Sequence, residues 1–207
     1  VKVDKLKNPA LEVVKKGKVR IFPKWREKTY TRWMEEMHDW PISRQIVWGI
    51  RIPAWYSIKD NPDTLVTFIR DGKRITGKVS KLLETYSFEE IEGGLQNLIA
   101  LKDAKYVISK EKPEGDYLPE TDTLDTWFSS GHWPLATLHY PDSEDFEYFY
   151  PTSVMETGWE IIRFWVSRMI MFGIYLTGEP PFKDVYLHGL VRAIDGKKMS
   201  KSLGNVV

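Results

Sequence analysis

Between Asp195 and Asn205 the chain reads DGKKMSKSLGN, a loop that sets Lys198 and Lys201 three residues apart, with the hydroxyls of Ser200 and Ser202 between and beside them. Gly196 and Gly204 bracket this run as flexible ends. Such a composition suits a triphosphate: ammonium groups neutralise charge developing on phosphoryl oxygens, and glycines let a loop close over its ligand. A lysine run standing alone is more often a solvated basic loop. The decision therefore rests on its surroundings.

Three further places could join the same chemistry. In TGWEIIRFW, Gly158 falls at a strand-to-helix turn and Glu160 in the first helical turn, where a carboxylate suits the helix dipole and can also accept from ribose hydroxyls. Gly189 follows His188 at the end of an apolar run and permits close approach of a flat ring to the backbone, although a lone histidine there is commonly a packed one. Trp40 and Trp127, in DWPISRQ and DTWFSSG, could wall a small aliphatic pocket, or could be two core aromatics among nine tryptophans.

These residues need elements to position them. NPALEVVKKG predicts a short helix with Asn8 as its cap, Pro9 at its first position and Gly17 as its terminator, leading into a strand at VRIF. Tyr30, Trp33, Met34 and Met37 recur at helical spacing and predict a helix that delivers Trp40 at its far end. From Ser57 to about Gly115 the texture changes: a hairpin turning at Asp71-Gly72, a helix with a capping box from Ser87 to Glu90 that stops at paired glycines, and a strand at AKYVIS. After this block come a strand-like YFYPTSVMETG, a long helix from Gly158 and a strand from Val185 to Leu190. Strands that end in glycine and are followed by a helix belong to a parallel α/β sheet, with ligands at the carboxyl ends of the strands.

Bulk composition narrows the classes. The 207 residues are 42% hydrophobic, enough for a real core, and 30 basic against 29 acidic residues leave a net charge of +1, so a polyanion site must come from local clustering. With no cysteine and four histidines at neither zincin nor finger spacing, no protein-held metal is expected. The apolar run from Trp159 to Thr177 is interrupted by Glu160, Arg163, Ser167 and Arg168, which predicts a buried helix and not a membrane span. The amino terminus carries neither an initiator methionine nor an apolar signal core, and the expectation is a piece of a cytoplasmic protein.

Taken in order, WPISRQIVWGIRIPAWY, DTLDTWFSSGHWP, GWEIIRFWVSRMIMFG and VYLHGLVRAIDGKKMSKSLGN resemble the second half of the catalytic region of the class I aminoacyl-tRNA synthetases, and WGIRIPAWY with DTWFSSGHWP resemble its valyl branch. Lys198 to Ser202 read KMSKS, which is that class's second signature. The resemblance is good over residues 8–56 and 116–207 and loose between. It implies a partial Rossmann-type α/β catalytic domain: residues 1–56 enter the core, 57–115 form a small β-rich insertion, and 116–207 complete the core through the lysine loop. It also implies a ligase that activates valine with ATP and Mg2+ and esterifies tRNA(Val). By matching position, Lys198 and Lys201 act on the phosphates, with Met199, Ser200 and Ser202 beside them in the ATP site. Gly158 and Glu160 meet the ribose, His188, Gly189 and Leu190 pack on adenine, and Trp40 and Trp127 border the amino-acid side chain.

The sequence departs from the family in three ways. Glu160 stands where the family usually has aspartate, the cysteine pairs of a zinc knuckle are missing between Tyr56 and Asp116, and no His-Ile-Gly-His signature is present. The expectation is half of an active site, inactive by itself. A synthetase-like module that binds ATP or tRNA without catalysis is the alternative.

Overall fold

The computed structural model describes residues 1–206, which divide into two compact units: Val1–Pro41 with the chain from Thr126 onward, and Ile42–Asp125. The first unit opens with helix α1 (Asp4–Lys15), strand β1 (Arg20–Phe22) and helix α2 (Glu27–Glu35). Helix α1 begins one turn earlier than expected: Val3 and not Asn8 occupies the cap, and Pro9 lies inside the helix. Leu6, Ala10 and Val14 explain the extension, since their i, i+4, i+8 spacing forms a buried stripe whose packing outweighs the hydrogen bond lost at proline. Helix α2 buries Tyr30 and Met34, with Met37 buried just beyond it, as the periodicity predicts.

The second unit holds eight strands and two short helices: β2 (Ser43–Arg44), β3 (Ala54–Ser57), β4 (Leu65–Arg70), β5 (Lys73–Lys78), α3 (Val79–Leu82), α4 (Phe88–Gly93), β6 (Leu95–Ile99), β7 (Tyr106–Ile108), β8 (Tyr117–Pro119) and β9 (Thr123–Leu124). Asp71 and Gly72 turn the β4–β5 hairpin with φ of 49° and 73°, and Ser87 and Glu90 make the reciprocal bonds of a capping box at the start of α4. Val66, Phe68, Val79, Leu82, Ile91, Leu98 and Leu118 form its core. The unit is wider than the 57–115 insertion read from the sequence. Pairing of β2 with β9, and of β3 with both β7 and β8, draws 42–56 and 116–125 into it.

Back in the first unit, α5 (Thr126–Ser130), α6 (Trp133–Ala136) and α7 (Glu144–Phe149) precede β10 (Thr152–Gly158), α8 (Ser167–Thr177) and β11 (Phe182–His188). Tyr148 and Phe149, expected in a strand, close α7, which Ser143 starts by accepting from the Asp145 amide. Strand β11 pairs in parallel with β1 on one side and β10 on the other, so β10, α8 and β11 form a βαβ unit. The helix expected from Gly158 is broken at its start: a 3-10 turn at Trp159–Ile161 and a π turn at Ile162–Val166 lead into α8. From Ser167 to Gly173 the helix is buried, and no helix among the described residues is long and apolar enough to cross a membrane.

Tyr30 ties α2 to α1, its buried hydroxyl donating to the Ala10 carbonyl at 2.9 Å. Burial raises its pKa well above the ordinary value near 10. The folded protein therefore keeps a proton that the unfolded chain releases, and the stability this group contributes is complete below about pH 10 and is lost as pH rises towards the folded pKa. We expect Tyr30→Phe to cost about 1 kcal/mol at neutral pH and to show a shallower loss of stability above pH 10, by up to about 1.4 kcal/mol per pH unit. Urea unfolding at pH 7 and pH 11 checks this; an unchanged alkaline slope would contradict it.

Candidate nucleotide and amino-acid site

The parallel register sets Gly158 directly opposite His188 at the carboxyl ends of β10 and β11. A Cβ on Gly158 would lie 3.1 Å from Glu160 Oε2, 3.7 Å from His188 Cε1 and 3.8 Å from Leu190 Cδ2, so the bare glycine backbone is the floor on which these three side chains converge. Glu160 sits in the 3-10 turn, and its Oε2 is buried with no hydrogen-bond partner among the described residues. A desolvated carboxylate oxygen is a strong acceptor for a hydroxyl that reaches it. The His188 ring nitrogen Nδ1 lies 2.7 Å from the Gly189 carbonyl, and Nε2 lies 3.4 Å from the Glu156 carboxylate. Sequence reading missed Glu156. Its signal was available, because residues two apart on a strand share a face, which sets Glu156 beside Gly158.

The lysine loop follows β11 after residues 189–194 and is tied back to them: the Gly196 carbonyl accepts from Arg192 Nη1 and the Lys197 carbonyl from the Ala193 amide, both at 3.0 Å. Asn205 clips it at two points: Oδ1 accepts from the Ser200 amide at 2.8 Å and Nδ2 donates to the Lys198 carbonyl at 3.2 Å. Ser200 and Ser202 share a hydrogen bond of 2.8 Å between their hydroxyls, and Met199 and Ser200 are half-buried. Lys197 pairs with Asp195 at 3.3 Å. Lys198 and Lys201 are exposed and form no ion pair among the described residues, so of the three lysines these two carry charge that no neighbouring carboxylate offsets. Asn205 is the loop residue that sequence reading overlooked.

Trp40 and Trp127 belong to one aromatic cluster around the broken start of α8. Trp40 is buried, with the Arg168 guanidinium 4.1 Å from its ring and Phe128 and Phe172 at 6.2 and 6.5 Å. Trp127 is half-buried and stacks on Phe164 at 5.6 Å with an interplanar angle of 24°. Arg168 also lies 5.8 Å from the Phe164 ring, so the two tryptophans are linked through Arg168 and Phe164. Gly131 lets this cluster close, since a Cβ there would come within 2.8 Å of the Phe172 ring. The sequence had marked Arg168 only as an interruption of an apolar run. Among the described residues no group of three or more His, Cys, Asp or Glu side chains could hold a metal ion.

Known proteins carry the same segment. The valine--tRNA ligase of Clostridium tetani is 46% identical over 208 residues, covering 100% of this chain and 20% of the relative. That of Clostridium acetobutylicum is 44% identical with the same coverage, and that of Schizosaccharomyces pombe is 43% identical over 96% of the chain and 18% of the relative. The chain thus spans about a fifth of the length of the curated relatives it matches. The family model described as tRNA synthetases class I (I, L, M and V) matches residues 1–207. The α/β architecture, the parallel βαβ unit and this full-length match agree, and the chain belongs to the class I tRNA synthetases.

Proposed function

We propose that the chain is the second half of the catalytic domain of a valine–tRNA ligase, contributing the nucleotide floor, the lysine loop and the aromatic wall of the amino-acid pocket. The observation that carries this reading is the convergence of Glu160, His188 and Leu190 on Gly158 at the ends of two parallel strands. Its specificity for valine is supported by relatives at 43–46% identity that bear that name. A cytoplasmic location accompanies the reading.

In the reaction, a carboxylate oxygen of valine attacks the α-phosphorus of ATP, the bond to the β-phosphate oxygen breaks, and pyrophosphate leaves with the electron pair. A ribose hydroxyl of tRNA(Val) then attacks the acyl carbon and AMP departs. Mg2+ accompanies ATP as part of the substrate. Glu160 Oε2 accepts from a ribose hydroxyl and so exchanges an unpaired buried oxygen for a charge-assisted hydrogen bond. Adenine lies against the Gly158 and Gly189 backbone, with His188 and Leu190 at its edge. Lys198 and Lys201, unpaired by carboxylates, meet charge that grows on the leaving pyrophosphate, an interaction stronger in the transition state than in the ground state.

Two outcomes are expected in the intact ligase. Lys201→Ala slows adenylate formation by about a hundredfold or more while the valine KM barely moves, whereas Lys197→Ala stays near the unsubstituted rate because that lysine is already paired with Asp195. Pre-steady-state adenylation measures both, and equal, negligible losses would return the loop to a solvated role. Glu160→Gln should raise the ATP KM by about tenfold, since it replaces a charged acceptor with a neutral one. An ATP KM unchanged in pyrophosphate exchange would remove Glu160 from the ribose contact.

A further inference from the structure

Arg168 is the one arginine among the buried residues described, only 5% exposed, between buried Ser167 and the apolar run from Met169 to Phe172. A buried guanidinium is costly, and a well-packed apolar side chain of similar volume often serves stability as well or better. Its contacts point to a use other than stability. The π turn at Ile162–Val166 widens the helix, and Arg168 Nη1 donates to the Arg163 and Phe164 carbonyls at 3.0 and 2.8 Å, which holds the planar head in one orientation. In that orientation the guanidinium carbon is 4.1 Å from the Trp40 ring centroid and 5.8 Å from that of Phe164, whose ring in turn stacks on Trp127. We propose that Arg168 is a positioning residue that fixes Trp40 and, through Phe164, Trp127, and so sets the spacing of the two walls that select the amino-acid side chain.

This inference rests on the valine-ligase reading and deepens it. Cation–π attraction strengthens when both partners are desolvated, and here one cation acts on two aromatic groups that come from different parts of the chain. A hydrophobic pocket discriminates neighbouring aliphatic side chains by a methylene's worth of space, so a small shift of either wall changes which side chain fits. Arg168 itself need not touch valine. The geometry therefore separates it from a residue that only caps the π turn: such a cap would affect stability and every substrate together, whereas a wall-setting residue affects valine and leaves ATP alone.

The test uses the intact ligase and amino-acid-dependent ATP–pyrophosphate exchange. Arg168→Met keeps length and removes charge, Arg168→Lys keeps charge without the planar fork, and Phe164→Leu removes the ring between Arg168 and Trp127 while leaving the backbone carbonyls in place. For Arg168→Met we expect the valine KM to rise about tenfold with the ATP KM within about twofold, and the preference for valine over isoleucine to fall several-fold, with Arg168→Lys between it and the unsubstituted enzyme. Phe164→Leu should shift the valine-to-isoleucine preference in the same direction, and it decides the matter should Arg168→Met fail to fold. Valine and ATP constants that move together, or a preference unchanged in the folded variants, would overturn the proposal. Absence of valine-dependent exchange in the unsubstituted protein is a separate result that would remove the ligase reading and this inference with it.

Discussion

The parallel pairing of β10 with β11 is the constraint on which the rest of the first unit depends. Six registered pairs from Thr152↔Phe182 to Gly158↔His188 fix which residues meet at the strand ends. Because side chains alternate along a strand, Glu156 and Gly158 share a face with Tyr186 and His188, and a slip of one residue would bring Thr157 and Leu187 there instead. That slip is resisted from the other face, where Met155, Val185 and Leu187 are buried. The apolar packing that holds the register is thus the same packing that aims the polar site.

The crossover between the two strands supplies the second half of the arrangement. A regular helix beginning at Gly158 would carry Glu160 and Arg168 on a fixed 100° per residue screw. The 3-10 turn tightens that screw at Glu160 and the π turn relaxes it just before Arg168. One short irregular stretch therefore buries a carboxylate beside the glycine floor and a guanidinium beside Trp40. Unmet backbone groups would make such a distortion unfavourable. Ser167 Oγ and Arg168 Nη1 both donate to the Arg163 carbonyl and reduce that cost.

What could be read in the sequence was what local chemistry decides. The Asp71-Gly72 turn needs positive φ at both residues, the Ser87–Glu90 box needs two side chains and the amides beside them, and the glycine that closes METG needs only a strand that stops, so all three were legible. Tertiary packing decided the rest. Helix α1 runs through Pro9 because Leu6 is buried on the far side of it, and residues 42–56 join the second unit through partners at 106–108 and 117–124 that are remote in the chain. Arg168 was read only as an interruption for a related reason: a charged residue in an apolar stretch announces a break in pattern, and only the neighbours it meets in three dimensions give it a role. Glu160, His188 and Leu190, which the resemblance set around ATP with Gly158, lie close to one another at that glycine.

On the ligase reading we propose, the glycine floor between β10 and β11 receives the adenosine of an activated amino acid. A crystal structure of the intact ligase with a non-hydrolysable valyl-adenylate analogue, the valyl sulfamate of adenosine, tests it most directly. We expect a ribose hydroxyl within hydrogen-bond distance of Glu160 Oε2, adenine against the Gly158 and Gly189 backbone beside His188 and Leu190, and the isopropyl group facing Trp40 and Trp127. An adenosine bound away from Gly158, with Glu160 Oε2 still unpaired, would contradict it.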